Sequence, residues 1–234
     1  MGNHHPEWQV HFDRFQTRGC ITVYDAQTMQ FSDFNADRCV QRFAPHHTFV
    51  LPCALLAMQN GLANDTSALL HYADQPTTLA RLVRSSPSQS ADLLAQLLGE
   101  QPLQRYLQRI GYGNQLFQLT SDDPFRPRRT AISADEQVYF LKKMRTGALR
   151  TPPQQLYQLM GLLRESADSS RMLYALASPA DTATTGWYIG WVEDGNQAWY
   201  FALNYEFLPE AAQWPSDAGR HIARAILRDM ALLR

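Results

Sequence analysis

Residues 186–206 read GWYIGWVEDGNQAWYFALNYE. Two runs rich in aromatic and β-branched side chains flank Asp194-Gly195-Asn196. Such runs suit a pleated, half-buried surface, and the central residues favour the positive φ of a tight turn, so the stretch predicts a β-hairpin. Alternating aromatics on paired strands are core by default, and none of these rings is assigned a function. Upstream, MLYALA (172–177) reads as a further strand. Downstream, DAGRHIARAILRDMALL (217–233) reads as an amphipathic helix that closes the chain.

The other end of the sequence matches this one. CITVYD (20–25) and MQFSDFN (29–35), separated by AQT, form a second predicted hairpin. Before it, Trp8, Phe12 and Phe15 fall at i, i+4 and i+7, one face of a short helix ending near Gly19. The middle is helical. FAPHHTFVLPCALLAM (43–58) reads as a turn leading into a buried helix, with Leu51, Leu55, Leu56 and Met58 on its apolar side and Gly61 as its stop. From about Thr66 to Tyr112 the pattern stays helical, and Ser90 is placed to cap the second helix there. In SADEQVYFLKKMRTG (133–147), Ser133 and Glu136 form a capping box, basic residues fill the last turn, and Gly147 follows. PPQQLYQLMGLLRES (152–166) is another helix with prolines at its start. Strands at both ends and helices between them predict an α+β fold. An antiparallel sheet is flanked by helices in one lobe (about 1–43 and 170–234), and a helical second lobe (about 44–169) completes a single domain, 1–234.

Composition narrows the function classes. The 234 residues, 45% hydrophobic and 18% charged, suit one large domain or two lobes. A formal net charge of −1 gives no attraction to nucleic acid or to an anionic membrane. No apolar run approaches the roughly 20 residues of a membrane span. MGNHHPEWQVHF lacks an apolar leader core, so the expectation is either a cytoplasmic chain or one from which a leader has been removed. Cys20, Cys39 and Cys53 are odd in number and form no C-x-x-C, which argues against a disulfide framework or a zinc site.

Six segments, HFDRFQTRGCITVYD, QRFAPHHTFVLP, YLQRIGYGN, ISADEQVYFLKKM, GWYIGWVE and IARAIL, resemble those of the class D (OXA-type) serine β-lactamases, in that family's order and over nearly all of the chain. The resemblance implies a β-lactamase/transpeptidase-like fold and, if a leader has been removed, the periplasm as the compartment. It also implies a serine nucleophile in an S-x-x-K motif at a helix N-terminus, with the lysine one turn later as general base. Residues i and i+3 share a helix face, and a hydroxyl is a weak nucleophile without such a base. Here the motif position reads His47-Thr48-Phe49-Val50. Valine takes no proton. The S-x-V motif falls at Ser86-Pro87-Ser88, keeping its serine only, and Y-G-N is intact as Tyr112-Gly113-Asn114. The K-T-G strand offers Ala177-Ser178-Pro179 or Ser178-Pro179-Ala180, without the lysine or the glycine. The substrate-carboxylate arginine falls nearest Gly219 and Arg220, one position off, and the shielding loop tryptophan falls near Phe125.

Change of nucleophile, base, third-strand lysine and the loop around Phe125 together reads as a pseudoenzyme: a class D scaffold that acts by binding a β-lactam, a peptidoglycan-type ligand or a protein partner. The alternative is a β-lactam hydrolase with residual or re-sited catalysis through Ser86, Ser178 or a histidine base. A third reading is an interaction module whose old centre is filled by Phe49, Val50 and the Phe125 loop. The candidate cleft residues are His46, His47, Ser86, Tyr112, Asn114, Ser178 and Arg220. For each there is a plainer role: a polar group in a disused cleft for the histidines, a local hydrogen bond for Ser86, a structural turn for Tyr112-Gly113-Asn114. Arg126, Arg128 and Arg129 read as a solvated loop or as an anion or partner contact beside the old centre. His46 and His47 are adjacent, which rarely points two rings at one ion, so no metal and no cofactor is expected.

Overall fold

The computed structural model describes residues 2–72, 75–85, 89–119, 130–166, 171–181 and 184–234. They form two compact units. The first comprises Met1–Phe43, Ser133–Leu141 and Arg164–Arg234. The second comprises Ala44–Ile132 and Lys142–Leu163.

The first unit carries a seven-stranded sheet. Its strands are β1 (Asn3–His4), β2 (Thr17–Asp25), β3 (Gln30–Phe34), β6 (Arg164–Ser166), β7 (Met172–Ser178), β8 (Gly186–Asp194) and β9 (Gln197–Phe207), in the order β1-β3-β2-β9-β8-β7-β6. Every pairing is antiparallel except β1 with β3. The hairpin expected at 186–206 is β8–β9, closed by Gly195-Asn196 with Asp194 opposite Gln197. The sheet thus joins strands from both ends of the sequence, β2 lying against β9 from Thr17↔Phe207 to Asp25↔Trp199.

On one sheet face, Ile21, Val23, Tyr188, Phe201, Leu203 and Tyr205 meet Trp8 and Phe12 of the N-terminal segment and the apolar stripe of α9 (Ala218–Asp229). That stripe, Ala218, Ile222, Ala223, Ile226 and Leu227, repeats at helical spacing. Each large aliphatic side chain buried there contributes roughly 1.5–3 kcal/mol. The opening helix stops earlier than its pattern predicts. A 3-10 turn (Pro6–Trp8) runs into α1 (Gln9–Asp13), and β2 has begun by Thr17. Gly19 lies inside that strand because a Cβ there would come within 2.2 Å of the Asn204 carbonyl oxygen.

The second unit is helical. A 3-10 turn (His46–Phe49) leads into α3 (Val50–Gln59), and α4 (Leu79–Arg84), α5 (Gln89–Leu98), α6 (Glu100–Ile110) and α8 (Pro153–Leu163) follow. α3 is buried from Val50 to Met58 on every side rather than along one stripe. It ends as expected, with Gly61 at φ 72°. Two readings change here. A hairpin, β4 (Leu69–Tyr72) with β5 (Gln75–Thr78), replaces the start of the expected helical run. Pro76 and the β-branched pair Thr77-Thr78 disfavour helix there, and Thr78 instead caps α4 by accepting from the Arg81 N–H. Ser90 is not the cap of α5, since the helix has already begun at Gln89.

α7 (Ala134–Arg145) gives Ala134–Leu141 to the first unit and its last four residues to the second. Its capping box is formed. Ser133 N–H donates to Glu136 Oε2 at 2.9 Å, and Glu136 N–H donates to Ser133 Oγ at 3.2 Å. No helix among the described residues is long and apolar enough to cross a membrane.

Candidate functional site

The His46–Phe49 turn is built by its own backbone and one hydroxyl. Thr48 N–H donates to the Pro45 carbonyl at 3.0 Å and Thr48 Oγ1 donates to the same oxygen at 2.6 Å. His46 stands at φ 46°, a left-handed conformation, and is half-buried. This pivot sends the next side chain inward. His47 is 1% exposed, and its Nε2 lies 3.1 Å from the carbonyl oxygen of Val83 in α4. A carbonyl only accepts, so Nε2 carries the proton and donates it. That nitrogen has no lone pair to offer a substrate or a metal.

Burial pushes the His47 pKa below its ordinary value, and the Val83 bond pulls weakly the other way, so the ring is neutral at pH 7. The unfolded chain therefore binds a proton near pH 6.5 that the folded chain resists. Stability is full above that pH and falls as the pH drops from about 6.5 toward the lowered folded value. Urea denaturation of wild type should show a midpoint that declines across this window. In His47→Gln the decline should be shallower, and equal slopes would assign it to other groups.

The last two positions of the motif are apolar and closed. Val50 and Phe49 are fully buried. The Phe49 ring lies between Tyr112 at 5.9 Å and Phe117 at 5.8 Å, stacked on the latter at 20°. Tyr112-Gly113-Asn114 follows α6, whose last carbonyl, Ile110, accepts from Lys143 Nζ at 3.0 Å. Gly113 has φ 52°, and Asn114 clasps the segment before α7. Its N–H donates to Ala131 O at 2.9 Å, and its Oδ1 accepts from the N–H groups of Ala131 at 3.1 Å and Leu116 at 3.3 Å. The side-chain amide oxygen of the Y-G-N turn thus holds local backbone. Ser86, Phe125, Arg126, Arg128 and Arg129 lie outside the described residues.

Two candidates belong to the sheet unit. Ser178 ends β7 opposite Trp187 and is 3% exposed. Arg220, on α9, donates from Nη2 to Glu165 Oε1 at 2.6 Å. Glu165 Oε2 also accepts from Tyr188 Oη at 3.2 Å and Arg224 Nη1 at 3.4 Å. Burial opposes the Arg220 charge, but Glu165 and Tyr188 outweigh it and hold the guanidinium above its ordinary pKa. Sequence reasoning missed Glu165 because the helical pattern of residues 152–166 ran through it. In the structure the helix ends at Leu163 and Glu165 sits on β6.

Among the described residues no three His, Cys, Asp or Glu side chains converge as a metal site. The three cysteines are buried thiols. Cys39 is held protonated by its neighbour Cys20 and by burial, and Cys53 by burial and Asp92, which makes both poor nucleophiles.

No protein-family model matches the chain. It is similar to β-lactamase OXA-20 of Pseudomonas aeruginosa, 29% identical over 236 residues that span 95% of this chain and 86% of that one. It is also similar to β-lactamase OXA-2 of Salmonella typhimurium, 28% identical over 213 residues, 86% of this chain and 76% of that one. Among solved structures, the C-terminal domain of the Bacillus licheniformis BlaR penicillin-receptor superposes with a TM-score of 0.85 at 24% identity, covering 99% of this chain and 97% of that one.

Proposed function

We propose that this chain, a divergent member of the class D β-lactamase and BlaR-like family, acts by binding and does not acylate. The observation that carries the proposal is His47 at the family's nucleophile position, buried and donating Nε2–H to the Val83 carbonyl. A general base is missing from the matching position, since Val50 has no titratable atom. Pro179 follows Ser178 where the K-T-G motif would continue, and proline offers no backbone N–H. The ligand is a β-lactam or peptidoglycan-type molecule held reversibly, or a protein partner. The BlaR relative is a penicillin receptor by name, which favours recognition over turnover as the retained role.

The test is the intact mass of the protein after incubation with benzylpenicillin, with a Ser86→Ala, Ser178→Ala double variant alongside. The expected result is no added mass in either. A penicillin adduct on the wild type that disappears in the double variant would replace this reading with re-sited serine catalysis.

A further inference from the structure

In the sheet unit the short helix α2 (Ala36–Cys39) packs on β2 around one residue, Cys20. Bonds surround that residue. Asn35 Nδ2 donates to the carbonyl of Gly19, just before it, at 3.0 Å. Arg38 Nε donates to Oδ1 of Asn204, its partner across the β2–β9 ladder, at 2.7 Å. The Cys39 thiol donates to the carbonyl of Phe34 at 3.6 Å, and Phe34 pairs with Ile21, just after it. Residues opposite each other on a ladder share a sheet face, so Cys20 points to the side on which Arg38 reaches Asn204. With Arg38 taking Asn204, the next residue of α2 is set over Cys20. We propose that Cys20 and Cys39 are the two halves of a latent disulfide, closed by a disulfide-class oxidant as the chain folds in an oxidising compartment.

The thiols are neighbours and both are out of water. Cys20 is 0% exposed and Cys39 is 2% exposed. The Cys20 thiol is the strongest influence on Cys39, ahead of burial, and the carboxylates of Asp135 and Asp33 act in the same direction to keep Cys39 protonated. Such an influence needs the two side chains side by side. Cys53 stands apart, in α3 of the second unit.

The thiolate is the attacking species in thiol–disulfide exchange. In the folded chain both sulfurs are enclosed, so exchange belongs to the folding chain, where both meet water. One cysteine thiolate attacks oxidised glutathione, forms a mixed disulfide and expels one glutathione thiolate. As α2 docks on β2, the second cysteine thiolate attacks the protein sulfur of that mixed disulfide and expels the other glutathione. The protein loses two protons and two electrons, and one glutathione disulfide becomes two thiols. The new bond closes a ring around hairpin β2–β3 and removes freedom from the unfolded chain. After folding, the burial that hinders oxidation also hinders reduction, so the bond records the compartment in which the chain folded. The inference stands apart from the binding role assigned to the old centre.

The test refolds the reduced, urea-denatured chain with oxidised and reduced glutathione at about pH 8, close to the ordinary thiol pKa. Intact mass, alkylation in denaturant and peptide mapping follow. The expected product is lighter by two hydrogens, takes one alkyl group, on Cys53, and yields a peptide linked through Cys20 and Cys39. Its folding equilibrium constant, read from the urea midpoint, should exceed that of the dithiol form by about tenfold or more. Cys53→Ala should keep the link and Cys39→Ala should lose it. The wild-type peptide map decides the pairing even where a variant folds poorly. Folded dithiol protein given the same glutathione without urea should stay unlinked while the refolding chain closes its bond. A refolded chain that keeps all three thiols open to alkylation overturns the proposal. So does a bond that involves Cys53, a lasting glutathione adduct, rapid linking of the folded dithiol, or a linked form no more stable than the dithiol.

Discussion

Alanine at position 113 should lower the stability of the folded chain by about 3–5 kcal/mol, read as a shift in the urea midpoint at constant m-value. Two effects add. Gly113 has φ 52°, where a side chain crowds its own backbone. An added Cβ would also stand 2.1 Å from the Ala131 carbonyl oxygen and 3.0 Å from Ile132 Cβ. The Ala131 segment cannot retreat cheaply, because two hydrogen bonds tie it to Asn114. Relief of the clash therefore breaks bonds that an unpaired buried amide makes costly to lose. Gly111 separates the two effects. It has φ 65°, but the nearest atom to its absent Cβ is the flexible Lys143 Nζ at 3.7 Å. Gly111→Ala should cost only about 1–2 kcal/mol. If the two variants are equally destabilised, the contact with Ala131 is not what position 113 protects.

That contrast also marks what a sequence discloses. Hairpin β8–β9, the capping box at Ser133 and the stripe of α9 were legible because their signals are local: turn residues, a side chain meeting an amide three residues on, apolar repeats. Hairpin β4–β5 was not, because Leu69 and Leu70 read equally as the edge of a helix. Around the candidate site the sequence located the turn and its two histidines. It did not disclose their partners. His47 bonds to a backbone carbonyl 36 residues away, and every residue has such an oxygen. Glu165 was hidden because a pattern continued through it, and Gly19 because strand pairing, not a turn, demands its missing Cβ.

These placements share a direction. His47, at the position that the resemblance aligns with a nucleophile, fastens the turn to α4, and the oxygen of Asn114 fastens the segment before α7. Arg220 grips a carboxylate of its own chain, that of Glu165. These side chains serve as internal partners, and a group already satisfied inside the protein gains less from a ligand. Stability and recognition thus compete for the same atoms.

Phe49→Ala tests that competition at the motif itself. Phe49 is fully buried and its ring lies between Tyr112 and Phe117, so truncation should cost about 3–5 kcal/mol through lost transfer energy and the cavity left behind. Phe49→Leu, which keeps most of the volume, should cost below about 2 kcal/mol. A cavity lined by aromatic rings stays dry and accepts a small apolar guest. Benzene should therefore raise the thermal midpoint of Phe49→Ala and leave that of wild type unchanged. Failure of benzene to stabilise the variant would mean that neighbouring groups collapse into the space that Phe49 leaves. The same variant separates steric closure from chemical loss. With the ring removed, His47 still donates to Val83 and Val50 still cannot take a proton, so benzylpenicillin should add no mass. An adduct on Phe49→Ala would show that the ring had been screening a nucleophile other than the missing motif serine, and would overturn the binding reading.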